Sequence, residues 1–388
     1  MEAGGIQRVF ATLARAFVER GFDVDVVLVS KRGELLGELP PEARVLSVGA
    51  AWPLAARPLL ALPGAARSVA WRWLATLRPR PAESVGPLAR YFAEAKPAAL
   101  LASPTSASLA ALWASHVARS DVRVVAREAN TLSRQIAERG EWYHAQLPAL
   151  AREWYPRAAG VIAVSDGVAD DFAWLASFPR ERITTIHSPV DAARLRELAA
   201  QQPDEPWLAA GEPPVVLGVG RLVPAKSFAT LIRAFALLRA QRSARLLLLG
   251  EGPERAQLQA LARELGVERD VRLRGYEANP FAFMARAAAL ASSSIHEGLA
   301  NVLREALACG CPVVATDCPS GSAEALGNGA LGRLVPVGDA RTLADALADA
   351  IACPPSREER ARRAAFVTAD AGAARYLEVM LGSDDAAS

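Results

Sequence analysis

Ser294-Ile295-His296-Glu297-Gly298-Leu299-Ala300-Asn301-Val302-Leu303-Arg304-Glu305-Ala306-Leu307-Ala308-Cys309-Gly310-Cys311-Pro312-Val313-Val314-Ala315 is the stretch that decides the fold. An apolar segment, 288–292, runs into it as a candidate strand. A polar loop through Glu297 then opens a helix from about Ala300 to Cys309, Gly310 stops it, and a buried strand follows at 311–315. Strand, loop, helix and buried strand in succession build a parallel sheet covered by helices. Glu297 stands just before the helix and Glu305 well inside it. Eight helical residues rise roughly 12 Å, too far for both carboxylates to serve one proton transfer. They suit different parts of one elongated ligand. Between them, the amides of Gly298, Leu299, Asn301 and Val302 offer free donors and a partial positive charge to a phosphate at the helix start. Glu305, among Val302, Leu303, Ala306 and Leu307, is a costly charge unless it binds something.

The same alternation extends outward in both directions. Further candidate strands lie at 22–29, 44–48, 98–102, 121–126, 160–164 and 182–186, then at 214–219, 244–249, 270–274 and 333–335. The pattern weakens around 191–213, where Gln201-Gln202-Pro203-Asp204-Glu205-Pro206 reads as a linker. The expected architecture is α/β, with two Rossmann-like domains facing across a cleft at the carboxyl ends of their sheets. The first would cover 1–190 and the second 191–361, and a closing segment, 362–388, carries a helical pattern over 362–381.

After the strand 214–219 comes Gly220-Arg221-Leu222-Val223-Pro224-Ala225-Lys226, then an amphipathic helix from near Phe228. A glycine at a strand end, two cations and a helix start suit a diphosphate: arginine grips two oxygens and lysine adds a mobile point charge. Only three lysines occur in the chain, Lys31, Lys96 and Lys226, so each one stands out. Gly250-Glu251-Gly252-Pro253-Glu254-Arg255 again follows a strand, but Arg255 stands where a dinucleotide fingerprint needs its third glycine or an alanine. The run from Gly218 and Gly220 fails at Val223 in the same way, which disfavours a dehydrogenase.

A net charge of +2 over 388 residues argues against a dedicated nucleic-acid binder. The cysteines, Cys309, Cys311, Cys318 and Cys353, lack the paired spacing of a structural zinc site and read as reduced thiols. Asp23-Val24-Asp25 lies within a strand, not beyond one, so no metal is expected there. No apolar run reaches a membrane span and the start is not a signal peptide, so the expected location is cytoplasmic. Residues 51–97 break the rhythm: Trp71, Arg72, Trp73 and Arg78 cluster within 66–78, in a helix suited either to a membrane interface or to packing on the domain.

Taken together, 214–255 and 288–335 resemble the donor half of the large retaining glycosyltransferase family often called family 4, with the GT-B fold. Glu297 and Glu305 match its E-x7-E motif, and Arg221 with Lys226 its G-R-L-x-x-x-K diphosphate clamp. The resemblance implies a hexosyltransferase that takes a nucleotide-sugar donor and a glycan or lipid-linked acceptor and needs no cofactor or metal. It implies that Glu305 binds the donor ribose, Glu297 the hydroxyls of the transferred sugar, and Arg221 and Lys226 the leaving diphosphate. Asp317-Cys318-Pro319-Ser320-Gly321 resembles members that use UDP-sugars in surface polysaccharide assembly, and the closing helix would brace the first domain. Gly4-Gly5-Ile6-Gln7-Arg8 resembles the family's glycine loop near the donor phosphate, here without the strand that normally precedes it. Arg127 and Glu128, placed after the strand 121–126, would point into the cleft, and His187-Ser188-Pro189-Val190-Asp191 resembles the hinge entrance. The contrasting expectation is a catalytically silent sugar-nucleotide-binding partner of another transferase.

Overall fold

The computed structural model describes residues 5–29, 34–49, 83–139, 144–365 and 369–382. The tryptophan-arginine segment at 66–78 lies outside them. The chain forms two compact units: Met1–Pro189 with Ala369–Ser388, and Val190–Thr368.

In the first unit the strands are β1 (Asp25–Leu28), β2 (Arg44–Ser47), β3 (Ala99–Ala102), β4 (Arg123–Glu128), β5 (Gly160–Ala163) and β6 (Ile183–Thr185). Its helices are α1 (Gly5–Val18), α2 (Val85–Ala95), α3 (Thr105–Ala118), α4 (Leu132–Arg139), α5 (Leu147–Trp154) and α6 (Asp166–Ala176). The strands form two parallel sheets, β1-β2 and β3-β4-β5-β6. The two share one core, since Val24 ahead of β1 and Ala99 and Leu101 of β3 pack on the same cluster of Val9, Leu13 and Phe17 from α1 with Val125 and Ile162. Among the described residues, however, no ladder joins β1 to β3. β1 is accordingly only half-buried along its length, while Val124–Glu128 in β4 are buried throughout. Asp25 is engaged on its own sheet: Arg44 forks onto both carboxylate oxygens at 2.8 and 2.6 Å and Tyr91 donates at 2.8 Å. The Arg44 bonds hold its carboxyl below the usual range.

The second unit contains β7 (Val215–Val219), β8 (Arg245–Leu249), β9 (Val271–Gly275), β10 (Ala289–Ser292), β11 (Val313–Thr316) and β12 (Arg333–Val335). Its helices are α7 (Ala192–Ala200), α8 (Phe228–Gln241), α9 (Arg255–Glu264), α10 (Phe281–Met284), α11 (Asn301–Ala308), α12 (Ser322–Ala325), α13 (Ala340–Ala352) and α14 (Arg357–Ala365). One parallel sheet runs in the order β12-β11-β10-β7-β8-β9, so the winding reverses between β7 and β10. Loops leaving those two carboxyl ends diverge to opposite faces, and the crevice between them is where open α/β sheets bind ligands. Beneath it, Leu231, Phe235 and Leu238 of α8 and Leu343 and Leu347 of α13 pack with Val216, Leu246 and Leu248 into a continuous core.

All twelve expected strands form. The linker reading of Gln201–Pro206 needs correction, because that segment is docked on the second unit. Glu205, with no exposed side-chain surface, accepts from Arg272 at 2.5 Å and Arg274 at 3.2 Å, and Arg272 and Arg245 lie over the Trp207 ring at 4.0 and 4.9 Å. These partners sit 38 or more residues away in sequence, beyond the reach of a local composition argument. The chain passes between units at Pro189–Val190 instead. The expected helix over 362–381 is also two elements: α14 ends at Ala365 in the second unit, and α15 (Ala369–Leu381) packs in the first on α1 and β4. Gly372 of α15 lies against Pro189, where an added Cβ would stand 3.0 Å from the proline ring.

Candidate donor-binding site

The crevice between β7 and β10 gathers most of the residues singled out above. β7 delivers Gly220, and the chain then turns through Arg221 and Leu222 into a short 3-10 turn, Pro224–Lys226, directly ahead of α8. The Lys226 stem lies along Gly220, where a Cβ would come within 3.3 Å of Cε. From β8, Gly250 presses its backbone against that turn: a Cβ there would stand 1.9 Å from the Gly220 carbonyl oxygen, so no other residue fits. The glycines of the β8 loop therefore serve backbone packing, which is why they lack the dinucleotide spacing.

The loop leaving β10 is stitched to the β7 loop. Ser293 Oγ donates to the carbonyls of Lys226 and Ser227, both at 2.9 Å, and the Ile295 amide donates to Ala225 O at 2.9 Å. This registration brings the Lys226 ammonium onto Glu297 Oε1, with 23% and 13% of the two side chains exposed. Ser294, itself buried, donates from Oγ to the same oxygen at 2.7 Å, and Thr316 of β11 fixes Ser294 by donating to its carbonyl at 2.5 Å. Arg221 is exposed beside them and, among the described residues, makes no ion pair.

Gly298 and Leu299 are buried where the loop turns into α11. The Asn301 side-chain oxygen is buried at the first turn with no hydrogen-bond partner, so an acceptor awaits a donor beside the helix start. Val302 and Glu305 share the half-buried side of α11, while Leu303, Ala306 and Leu307 face the core. Glu305 thus avoids the apolar face where the sequence had set it. Behind the loop, Cys318 contacts Ser322 Oγ at 3.2 Å, and burial pushes its thiol up to about 11. All four cysteines are free.

Three candidates lie in the first unit. Gly5 is exposed at the start of α1. Arg127 and Glu128 fall inside β4, which runs two residues past the expected end at Ala126, and each is only 1% exposed. The Arg127 guanidinium donates to Tyr376 Oη of α15 at 3.0 Å and to Ser188 Oγ at 2.8 Å, with its remaining terminal nitrogen buried and unpartnered. Glu128 accepts from Thr105 at 2.6 Å and, by a short bond, from Tyr155. Burial raises its carboxyl above the usual range against those two bonds. Both charges are thus held inside the first unit by neutral hydroxyl groups. Ser294, Thr316, Tyr155 and Tyr376 escaped the sequence reading; the three consecutive serines at 292–294 were the one visible signal.

Among the described residues no group of three or more His, Cys, Asp and Glu side chains could hold a metal ion, and no helix is long and apolar enough to cross a membrane.

Two family models match the chain: Glycosyltransferase Family 4 over residues 3–194 and Glycosyl transferases group 1 over residues 201–366. Among curated proteins, it is 36% identical over 183 residues to the N-acetylgalactosamine-N,N'-diacetylbacillosaminyl-diphospho-undecaprenol 4-alpha-N-acetylgalactosaminyltransferase of Campylobacter jejuni, covering 47% of this chain and 48% of that one. It is 33% identical to the lipopolysaccharide core biosynthesis glycosyltransferase LpsE of Rhizobium meliloti, covering 52% of this chain and 57% of the relative. The chain thus spans about half the length of the curated relatives it matches. Among solved structures, HepE of Anabaena in complex with UDP-glucose superposes with a TM-score of 0.70 at 21% identity, covering 100% of this chain and 95% of that one. WaaG, a glycosyltransferase involved in lipopolysaccharide biosynthesis, gives 0.69 at 19% identity over 98% and 97%. Likeness at this identity establishes the GT-B fold, and the two family models between them span nearly the whole sequence. The chain belongs to glycosyltransferase family 4.

Proposed function

We infer that the chain moves a hexose from a nucleoside-diphosphate sugar, with uridine as the base, to a glycan or lipid-linked acceptor, with retention of anomeric configuration, in surface polysaccharide or glycoconjugate assembly. The observation that carries this reading is the convergence of Arg221, Lys226 and the α11 start on the crevice where the sheet reverses, with Glu297 and Glu305 to either side. Cations and helix amides there would hold the diphosphate, and Glu297 and Glu305 the sugar and ribose hydroxyls. In the reaction the bond from the sugar's anomeric carbon to the β-phosphate oxygen breaks. The acceptor oxygen then bonds to that carbon on the same face, and its proton passes to the departing phosphate. Arg221, Lys226 and the amides stabilise the charge that grows on that phosphate, so no strong protein base is needed. UDP and a surface-glycan role draw support from HepE, solved with UDP-glucose, and from LpsE, named for lipopolysaccharide core biosynthesis.

Thermal stabilisation by UDP, GDP and ADP tests the site. A nucleotide at a hundred times its dissociation constant should add about 2.7 kcal/mol to stability. UDP should shift the parent and leave Lys226→Ala unmoved. No shift with any of the three would overturn the reading, and binding without release of UDP from UDP-sugars would leave a silent sugar-nucleotide binder.

A further inference from the structure

Lys226 and Glu297, assigned above to the diphosphate and to the sugar of the donor, hold each other. Both contacts to Glu297 fall on one oxygen: Lys226 and Ser294 both donate to Oε1. Among the described residues Oε2 accepts nothing. Ser294 is in turn fixed by Thr316, so the carboxylate has a neutral anchor that does not depend on the lysine. Among the described residues the lysine pairs with no second carboxylate, and its stem lies along Gly220 at the edge of the crevice.

Resting on the donor-site reading, we propose that this ion pair is a lock between diphosphate recognition and sugar recognition, with Ser294 as the positioning residue that keeps Glu297 in place when the lock opens. A diphosphate draws Lys226 off Oε1. Glu297 then stands half-buried beside an anionic diphosphate without its cation, an unfavourable state unless hydroxyl donors replace the ammonium. A nucleotide sugar supplies those hydroxyls, and a bare nucleoside diphosphate does not. The intact donor is therefore favoured over the spent one. Once the sugar has left, Lys226 returns to Glu297 and weakens the grip on the product.

The test compares the parent with Glu297→Gln, binding whichever of UDP, GDP or ADP stabilises the parent and the matching glucose conjugate. Neutralising Glu297 removes the competitor for Lys226, so affinity for the bare nucleoside diphosphate should rise about tenfold, while the advantage of the sugar conjugate over it shrinks. Glu297→Asp, which withdraws the carboxylate but keeps its charge class, should move both in the same direction and serves if the glutamine variant fails to fold. Ser294→Ala should leave affinity for the bare nucleotide within about twofold and lower the preference for the conjugate, a split that a general loss of folding would not produce. Unchanged or weaker binding of the bare nucleotide by both Glu297 variants would overturn the lock. Absence of nucleotide binding by the parent would instead sink the donor-site reading itself.

Discussion

The carboxyl end of β4 in the first unit and the carboxyl ends of β7 and β10 in the second each present an arginine or lysine and a glutamate, and the two sites treat those charges in opposite ways. At β4, Arg127 and Glu128 are buried and held by hydroxyl groups from four other segments, those of Ser188, Tyr376, Thr105 and Tyr155. At the β7–β10 crevice, Arg221 is exposed and Lys226 and Glu297 answer mainly to each other. A charge held by several fixed neutral hydroxyls is architecture, since moving it breaks many bonds at once. A charge whose main partner is one mobile opposite charge can exchange that partner for a ligand. Position at a strand end is shared by both sites and decides nothing.

The sharpest way to break this contrast is Lys226→Ala. Loss of a cation at the leaving diphosphate should lower kcat by about a hundredfold to a thousandfold, roughly 2.7–4 kcal/mol, with about 1 kcal/mol or less of folding stability lost. Steady-state rates with UDP-glucose and urea unfolding of the same sample check both halves. Arg127→Met should show the reverse. Removing the buried cation strands two hydroxyls and leaves Glu128 without its neighbouring charge, so stability should fall by about 3 kcal/mol while nucleotide affinity in the folded fraction stays put. An arginine variant that folds normally but cannot bind donor would erase the distinction. Gly250→Ala probes the support beneath the second site: with a Cβ 1.9 Å from the Gly220 carbonyl, the β7 loop must shift, costing about 2 kcal/mol and weakening UDP binding together with stability.

Glu128 gives the smallest effect and the most specific one. Burial raises its folded carboxyl above the ordinary value of 4.5. Its contribution to stability is therefore complete below that value and is lost as pH rises through the raised one. Glu128→Gln is neutral throughout, so its melting temperature should gain on the parent as pH rises above the ordinary value. A difference that stays flat as pH rises would show that the carboxyl is not raised.

Much of this was legible because strand-forming runs and helical runs alternate so regularly; every β-rich run named from the pattern became a strand of a parallel sheet. The candidate site of the second unit was legible for a related reason, since its residues lie on loops directly after strands. What escaped depends on partners far apart in the chain. Gln201–Pro206 looks like a linker until Arg272, Arg274 and the stacked Trp207 are brought to it. The extension of β4 through Arg127 and Glu128 was hidden because charged residues seldom read as strand interior. Only Tyr155, Thr105, Ser188 and Tyr376, from 23 to 249 residues away, make that interior tolerable. Ser294 is an ordinary serine until the β7 loop delivers Lys226 to the carboxylate it holds.

The meeting of Pro189 with Gly372 has a consequence for how such proteins can be rebuilt. Chain leaves the first unit and comes back to it at one spot, with Arg127 tied to the outgoing segment through Ser188 and to the returning helix through Tyr376. The segment between, Val190–Thr368, is thereby an insert flanked by two residues of the first unit, Pro189 and Gly372, that lie against each other. Cassettes of that kind can be swapped between relatives, or the sequence circularly permuted, without rerouting a single strand of the host. A donor preference could then be transplanted as one contiguous stretch of gene.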